Sequence, residues 1–162
     1  METHENRTNR CVRLRQAAIE FLMSREFTYF PTFNFNRTTT LEEGRRKIRE
    51  WHARFDRKLL GSKWSKTPEA ERTFFIGFPE HLESNLHYHM LLVPAVPMQP
   101  FKFKILANSI WTSPNLVPSG DVHVEPIISE EDQENVARYI TKDAVKESHW
   151  DKFIISNEFI GR

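Results

Sequence analysis

The chain has 162 residues, 39% hydrophobic and 28% charged, a make-up that fits one soluble, folded domain and not a disordered chain. The formal charge is only +1, so affinity for nucleic acid would have to come from local clusters of charge, not from the sum. Cys11 is the single cysteine, which excludes an internal disulfide framework or a cysteine-rich zinc site and favours a reducing, cytoplasmic compartment.

METHENRTNR at the N-terminus has no apolar signal-peptide core, and no run of about 18 apolar residues follows, so no membrane partner is expected. Residues 11–24, CVRLRQAAIEFLMS, place Val12, Ala18, Ile19 and Leu22 at helical spacing and predict a helix. Residues 27–37, FTYFPTFNFNR, predict a strand with Phe33 and Phe35 on one face and Asn34 and Asn36 on the other. Pro31 predicts that this strand lies at an edge or carries a bulge.

Thr39 with Glu42, or Thr40 with Glu43, has the spacing of a capping box. Ile48, Trp51, Phe55 and Leu59 then recur every three to four residues, predicting an amphipathic helix over 41–60 that carries the densest basic segment. TFFIGFPE (73–80) and LHYHMLLVP (86–94) predict two strands whose short connection makes an antiparallel hairpin. A proline-rich linker leads to a helix over 103–111, a strand over 121–127, and a helix over 129–147 opened by Ser129 and Asp132. The order α-β-α-β-β-α-β-α predicts a single α+β domain spanning 1–162, a mainly antiparallel sheet with helices packed on one face. There is no internal repeat and no glycine-rich phosphate loop.

The histidines of the hairpin carry the chemistry. Residues two apart on a strand share a face, so His87 and His89 project side by side, about 7 Å apart. Tyr88 and Met90 turn the other way, toward the helices. Glu80 ends the preceding strand and can lie opposite His87. Two imidazoles and one carboxylate leave coordination positions open, as a catalytic metal site does. The mixed donor set suits magnesium or manganese, and zinc is also compatible. His81, Glu83 and His123 are alternative third ligands, and two exposed strand histidines without a metal are the competing reading.

Of the three tyrosines, only Tyr139 lies on a predicted helix, and Lys142 shares its face. A cation there can steady a phenolate or a phosphate oxygen. Val136, Ile140, Ala144 and Val145 mark a buried face of the same helix, so the pattern alone makes Tyr139 a core aromatic.

LHYHMLL, followed about fifty residues later by YITK on a helix, resembles the HUH endonucleases, which nick single-stranded DNA. Within them the chain looks most like the rolling-circle replication initiators (Rep proteins) of plasmids, phages and small single-stranded DNA viruses. FTYFPTFNFN is similar to the first motif, HYH to the second, and YITK to the Tyr-x-x-Lys form of the third. The resemblance spans roughly residues 27–145. It implies a five-stranded antiparallel sheet with flanking helices and a ferredoxin-like core. It implies that His87 and His89 hold a divalent cation, Mg or Mn, together with Glu80, seven positions before the first histidine. It implies that Tyr139 attacks a DNA phosphate, giving a 5′-phosphotyrosine and a free 3′-OH, and that Lys142 positions the metal or a water. The partner implied is a single-stranded or hairpin DNA origin; no helicase domain with a phosphate-binding loop follows, so the expectation is a nuclease-only protein, a fragment of a longer initiator, or a helicase supplied in trans. The compartment would be nuclear for a virus of eukaryotes. Asn34, Asn36, Arg37 and Arg138 are the expected DNA contacts.

The chain departs from some relatives of that type in offering one candidate tyrosine instead of a tandem pair. Two further enzymes are alternatives. One is a single-tyrosine HUH transposase, which Lys142 speaks against; the other is a metal hydrolase in which Tyr139 is dispensable. A non-catalytic module would instead stack single-stranded nucleic acid on Phe33 and Phe35.

Overall fold

Four consecutive apolar residues, Met90 to Val93, leave no polar alternate in the strand that carries the histidines. Such a run belongs to a strand covered on both faces. The computed structural model, which describes residues 4–142 and 151–160, has that arrangement. Its elements are α1 (His4–Met23), β1 (Tyr29–Asn34), α2 (Leu41–Leu60), β2 (Phe74–Glu80), β3 (His87–Val93), α3 (Pro100–Trp111), β4 (Asp121–Pro126), α4 (Glu130–Ile140) and β5 (Ile154–Ile155). The sheet order is β4-β1-β3-β2-β5, and every neighbouring pair is antiparallel. The units β1-α2-β2 and β3-α3-β4 interleave as a split β-α-β fold.

On the first face, Phe33, Phe35, Tyr88, Met90 and Leu92 pack under α2 and α3 through Ile48, Trp51, Phe55, Phe103 and Ala107. On the second, Phe30, Ile76 and Leu91 pack under α1 and α4 through Ile19, Leu22, Ala137 and Ile140. The expectation of helices on one face is therefore corrected: α1 and α4 form a second layer. Phe33 and Phe35 are fully buried and meet Trp111 edge-on, so neither is available as a stacking platform.

Local chemistry explains most boundaries. Thr40 accepts the Glu43 amide and caps α2, while Ser129 accepts the Asp132 amide and caps α4. Pro100 occupies the first turn of α3, where its missing N–H costs nothing, so α3 starts earlier than periodicity suggested. The first helix starts earlier still, at His4; its polar opening turns bury nothing, and Val12 is exposed instead of buried. Strand β1 is interior, contrary to the reading of Pro31. The β1–β3 ladder pairs Tyr29 with Leu92 and next Thr32 with His89, passing over the proline, which has no proton to donate. The helix expected over 129–147 ends at Ile140, with Thr141 as its cap; residues 143–147 of that expectation lie outside the described residues. Among the described residues no helix is long and apolar enough to cross a membrane.

A buried polar cluster ties α2 to the start of β2. Asp56 accepts from Arg72 Nε at 3.1 Å and from the Thr73 amide at 3.2 Å, and His52 Nε2 lies 2.9 Å from the Thr73 carbonyl. Burial pushes the His52 imidazole below its ordinary value; Asp56 and the Thr73 carbonyl pull it up, and Arg72 pushes it down. Because the folded value is depressed, the unfolded chain binds the extra proton first. Stability is then full above about pH 6.5 and falls below it, by up to about 1.4 kcal/mol per pH unit. Urea unfolding at pH 7.5 and 5.5 should show this drop, and His52→Gln should shrink it. Asp56→Ala should cost about 3–5 kcal/mol, because it strands the buried Arg72 charge.

Candidate metal centre

The second face of the sheet is apolar where α1 and α4 cover it and polar beyond. The ladders give three successive rows from β4 to β2. The covered row contains Phe30, Leu91 and Ile76; the next contains His123, Thr32, His89 and Phe78; the last contains Asp121, Asn34, His87 and Glu80. Cross-strand pairing of Glu80 with His87 thus places the carboxylate against the histidines on one surface.

Glu80 Oε2 lies 2.9 Å from His87 Nε2 and 2.7 Å from His89 Nε2. Its other oxygen, Oε1, lies 3.0 Å from Lys142 Nζ. Burial pushes the Glu80 carboxyl up, but hydrogen bonds from His89, Lys142 and His87 outweigh it and hold the group down at about 2. His89 is itself pushed down by burial, against the pull of Glu80. Burial also works against the Lys142 charge, yet contacts with Glu80 and Tyr139 raise its value overall.

The three ligand atoms lie within 4.8 Å of one another. Each imidazole turns its far nitrogen to an orienting partner. His87 Nδ1 lies 3.1 Å from the Asn85 carbonyl, and His89 Nδ1 lies 2.9 Å from Thr32 Oγ1. Such partners aim the near nitrogens, as they do in metal centres. Ligands about 2.1 Å from an octahedral cation stand about 3.0 Å apart, whereas a tetrahedral site spreads them to about 3.4 Å. The 2.7 and 2.9 Å separations, which are also hydrogen-bond lengths, lie near that range, so the donor set is compatible with a divalent cation.

Helix α4 brings a fourth group to the same place. Its buried Gln133 accepts from the Phe27 amide and donates to the Leu22 and Arg25 carbonyls, locking the helix to the α1–β1 link. Arg15 of α1 donates to the Arg138 carbonyl at 3.0 Å, close to the helix's far end. So held, α4 sets the Tyr139 ring edge-on to His89, with centroids 5.4 Å apart. Lys142 Nζ lies over the same ring, 3.9 Å from its centroid. Tyr139 is 43% exposed, so it is not the core aromatic that helical periodicity suggested.

The remaining expected contacts fall differently. Asn34 and Asn36 border the site, but their amides donate to the two carboxylate oxygens of Asp121 at 2.7 and 3.1 Å. Arg37 pairs with Glu43 of α2, whose core packs on the opposite face, and Arg138 pairs with Glu134 one turn back. The basic residues of α2 likewise do not flank the histidines: Arg45 pairs with Glu158 and Arg54 with Glu50. Of the alternative ligands, His81 lies tilted against His87 with ring centroids 5.0 Å apart, and His123 turns to Glu125. Thr32 and Arg15 were not singled out from sequence; each acts through an element distant in the chain, and no local pattern marks either one.

No family model and no curated protein matches the chain. Among solved structures it is similar to the crystal structure of the hypothetical protein ORF119 from Sulfolobus islandicus rod-shaped virus 1. That likeness covers 78% of this chain and 90% of that one, at 18% identity and a TM-score of 0.47.

Calorimetric titration should find one Mn²⁺ site per chain. Replacing His87 and His89 together by Ala, or Glu80 alone by Ala, should weaken binding at least about 100-fold, beyond what loss of an orienting neighbour causes. Asn34→Ala should leave it unchanged.

Proposed function

We propose that the chain is a metal-dependent endonuclease and strand transferase acting on single-stranded DNA, of the replication-initiator type, with Tyr139 as nucleophile. The observation that carries this reading is the convergence of Tyr139, Lys142 and the Glu80–His87–His89 cluster, which come from α4, the turn after it, β2 and β3. A structural metal site would not need a half-exposed phenol beside it, and a surface tyrosine would not need a lysine held by a ligand's second oxygen.

Glu80, His87 and His89 would hold the cation, Mg or Mn, which when bound would polarise the scissile phosphate. The chain's own groups account for the rest. Tyr139 is half-exposed beside His89, at the edge of the cluster, so a strand in solvent can reach it. Its oxygen forms a bond to phosphorus, the bond from phosphorus to the 3′ oxygen breaks, and the phenol proton leaves to solvent. The departing oxygen takes up a proton, leaving a free 3′-OH and a 5′-phosphotyrosine. A phenol with an ordinary value near 10 is a weak nucleophile at neutral pH. The Lys142 ammonium lies where it can stabilise the developing phenolate. The covalent link keeps the phosphodiester energy, so a 3′-OH can later reseal the strand without ATP. A single-stranded or hairpin DNA origin is the partner that this reading calls for.

The test is a denaturing gel of the protein incubated with labelled single-stranded oligonucleotides and Mn²⁺. A label-bearing protein band is expected, absent with EDTA and absent in Tyr139→Phe. Lys142→Ala should slow adduct formation by about 10²-fold or more. Cleavage that persists undiminished in Tyr139→Phe, with no adduct, would rule out the tyrosine mechanism and point to attack by water.

A further inference from the structure

His87 and His89 are not oriented in the same way. The far nitrogen of His87 faces the Asn85 carbonyl, which can only accept, so this contact is made only when Nδ1 carries a proton. His89 has no carbonyl in that place. Its Nδ1 faces a side-chain hydroxyl, Thr32 Oγ1, at 2.9 Å. Thr32 is well placed to hold that position. It lies on interior strand β1, paired with His89 on one side and His123 on the other, so its backbone is fixed by two ladders. Its β-branched side chain has restricted rotation about χ1.

A hydroxyl can do what a carbonyl cannot. It can donate to Nδ1 or accept from it by rotating one proton. Without a cation, the Glu80 carboxylate 2.7 Å from Nε2 favours a proton on Nε2, and the hydroxyl then donates to Nδ1. With a cation bound, Nε2 must offer its lone pair, the proton must sit on Nδ1, and the hydroxyl must accept it. One side chain serves both forms.

Resting on the metal-site reading above, we propose that Thr32 is a positioning residue for the metal centre: its hydroxyl fixes the orientation of the His89 ring so that Nε2 faces Glu80 and His87, and it can accept the Nδ1 proton when Nε2 gives its lone pair to a cation. It touches neither cation nor substrate and acts only through His89.

The test compares wild type, Thr32→Val, Thr32→Ser and Thr32→Ala by calorimetric titration with Mn²⁺. Valine matches threonine in shape and suits a strand, so it removes only the hydroxyl. Alanine is the second hydroxyl-free variant should valine fail to fold. Both hydroxyl-free variants should bind Mn²⁺ about 10- to 100-fold more weakly, and serine should restore binding to within a few-fold of wild type. In the Mg²⁺-loaded protein, the His89 Nδ1–H proton should be visible by NMR in wild type and Thr32→Ser and lost to exchange in the other two. Thr32→Val binding as tightly as wild type, or Thr32→Ser binding as weakly as Thr32→Val, would overturn the role of Thr32 while leaving the metal site standing. Failure of wild type itself to bind Mn²⁺ would instead remove the metal site, and the role of Thr32 with it.

Discussion

Glu80 is partly buried, and burial alone would favour its neutral form; hydrogen bonds from His89, Lys142 and His87 keep it charged. Its two oxygens are divided between two structural layers. Oε2 faces the imidazoles of β3, and Oε1 faces Lys142, just beyond α4. Remove the carboxylate and two imidazoles and an ammonium face one another with nothing to balance them. The register that pairs Glu80 with His87 is therefore the constraint on which the site depends. A slip of one residue in the β2–β3 hairpin would turn the glutamate to the opposite face of the sheet.

The fold protects that register by dividing labour between its faces. The first face is filled by aromatic packing: Tyr29 stacks on Phe103 at 4.2 Å, and Trp51 bonds to the Ala107 carbonyl. Trp111 donates to the Asn34 carbonyl at 2.9 Å, and Gly120 leaves room for that bond; a Cβ there would stand 2.4 Å from the same carbonyl. On the second face, α1 and α4 cover the Phe30–Leu91–Ile76 row and stop short of the histidines. The end of α4 is thus the rim of the polar surface, and a side chain at that rim can be both held and exposed. Tyr139 has those properties, packed against His89 and Phe30 yet open to solvent.

Much of this was legible in residues whose meaning is local. The period of two put His87 and His89 on one face, and the short connection put Glu80 opposite them. The i, i+3 spacing joined Tyr139 to Lys142. What was not legible depends on topology. β1 is inserted between β3 and β4, so the Thr32–His89 contact joins positions far apart in the chain, and nothing near Thr32 announces it. Asn34 and Asn36 had the polarity of a binding edge, but their engagement with Asp121 needed the β1–β4 register. β5 has only two residues, too few for any period to register. The second helical layer has a local mark as well, because the unbroken Met90–Val93 run requires cover on both faces.

Anomalous diffraction from a crystal soaked in Mn²⁺ measures the cation's position directly. The expected result is one strong peak bonded to Glu80 Oε2 and to Nε2 of both His87 and His89, with solvent completing about six ligands. A map with no peak at this cluster, or with manganese bound only elsewhere, would contradict the assignment of Glu80 as the carboxylate around which the site is built.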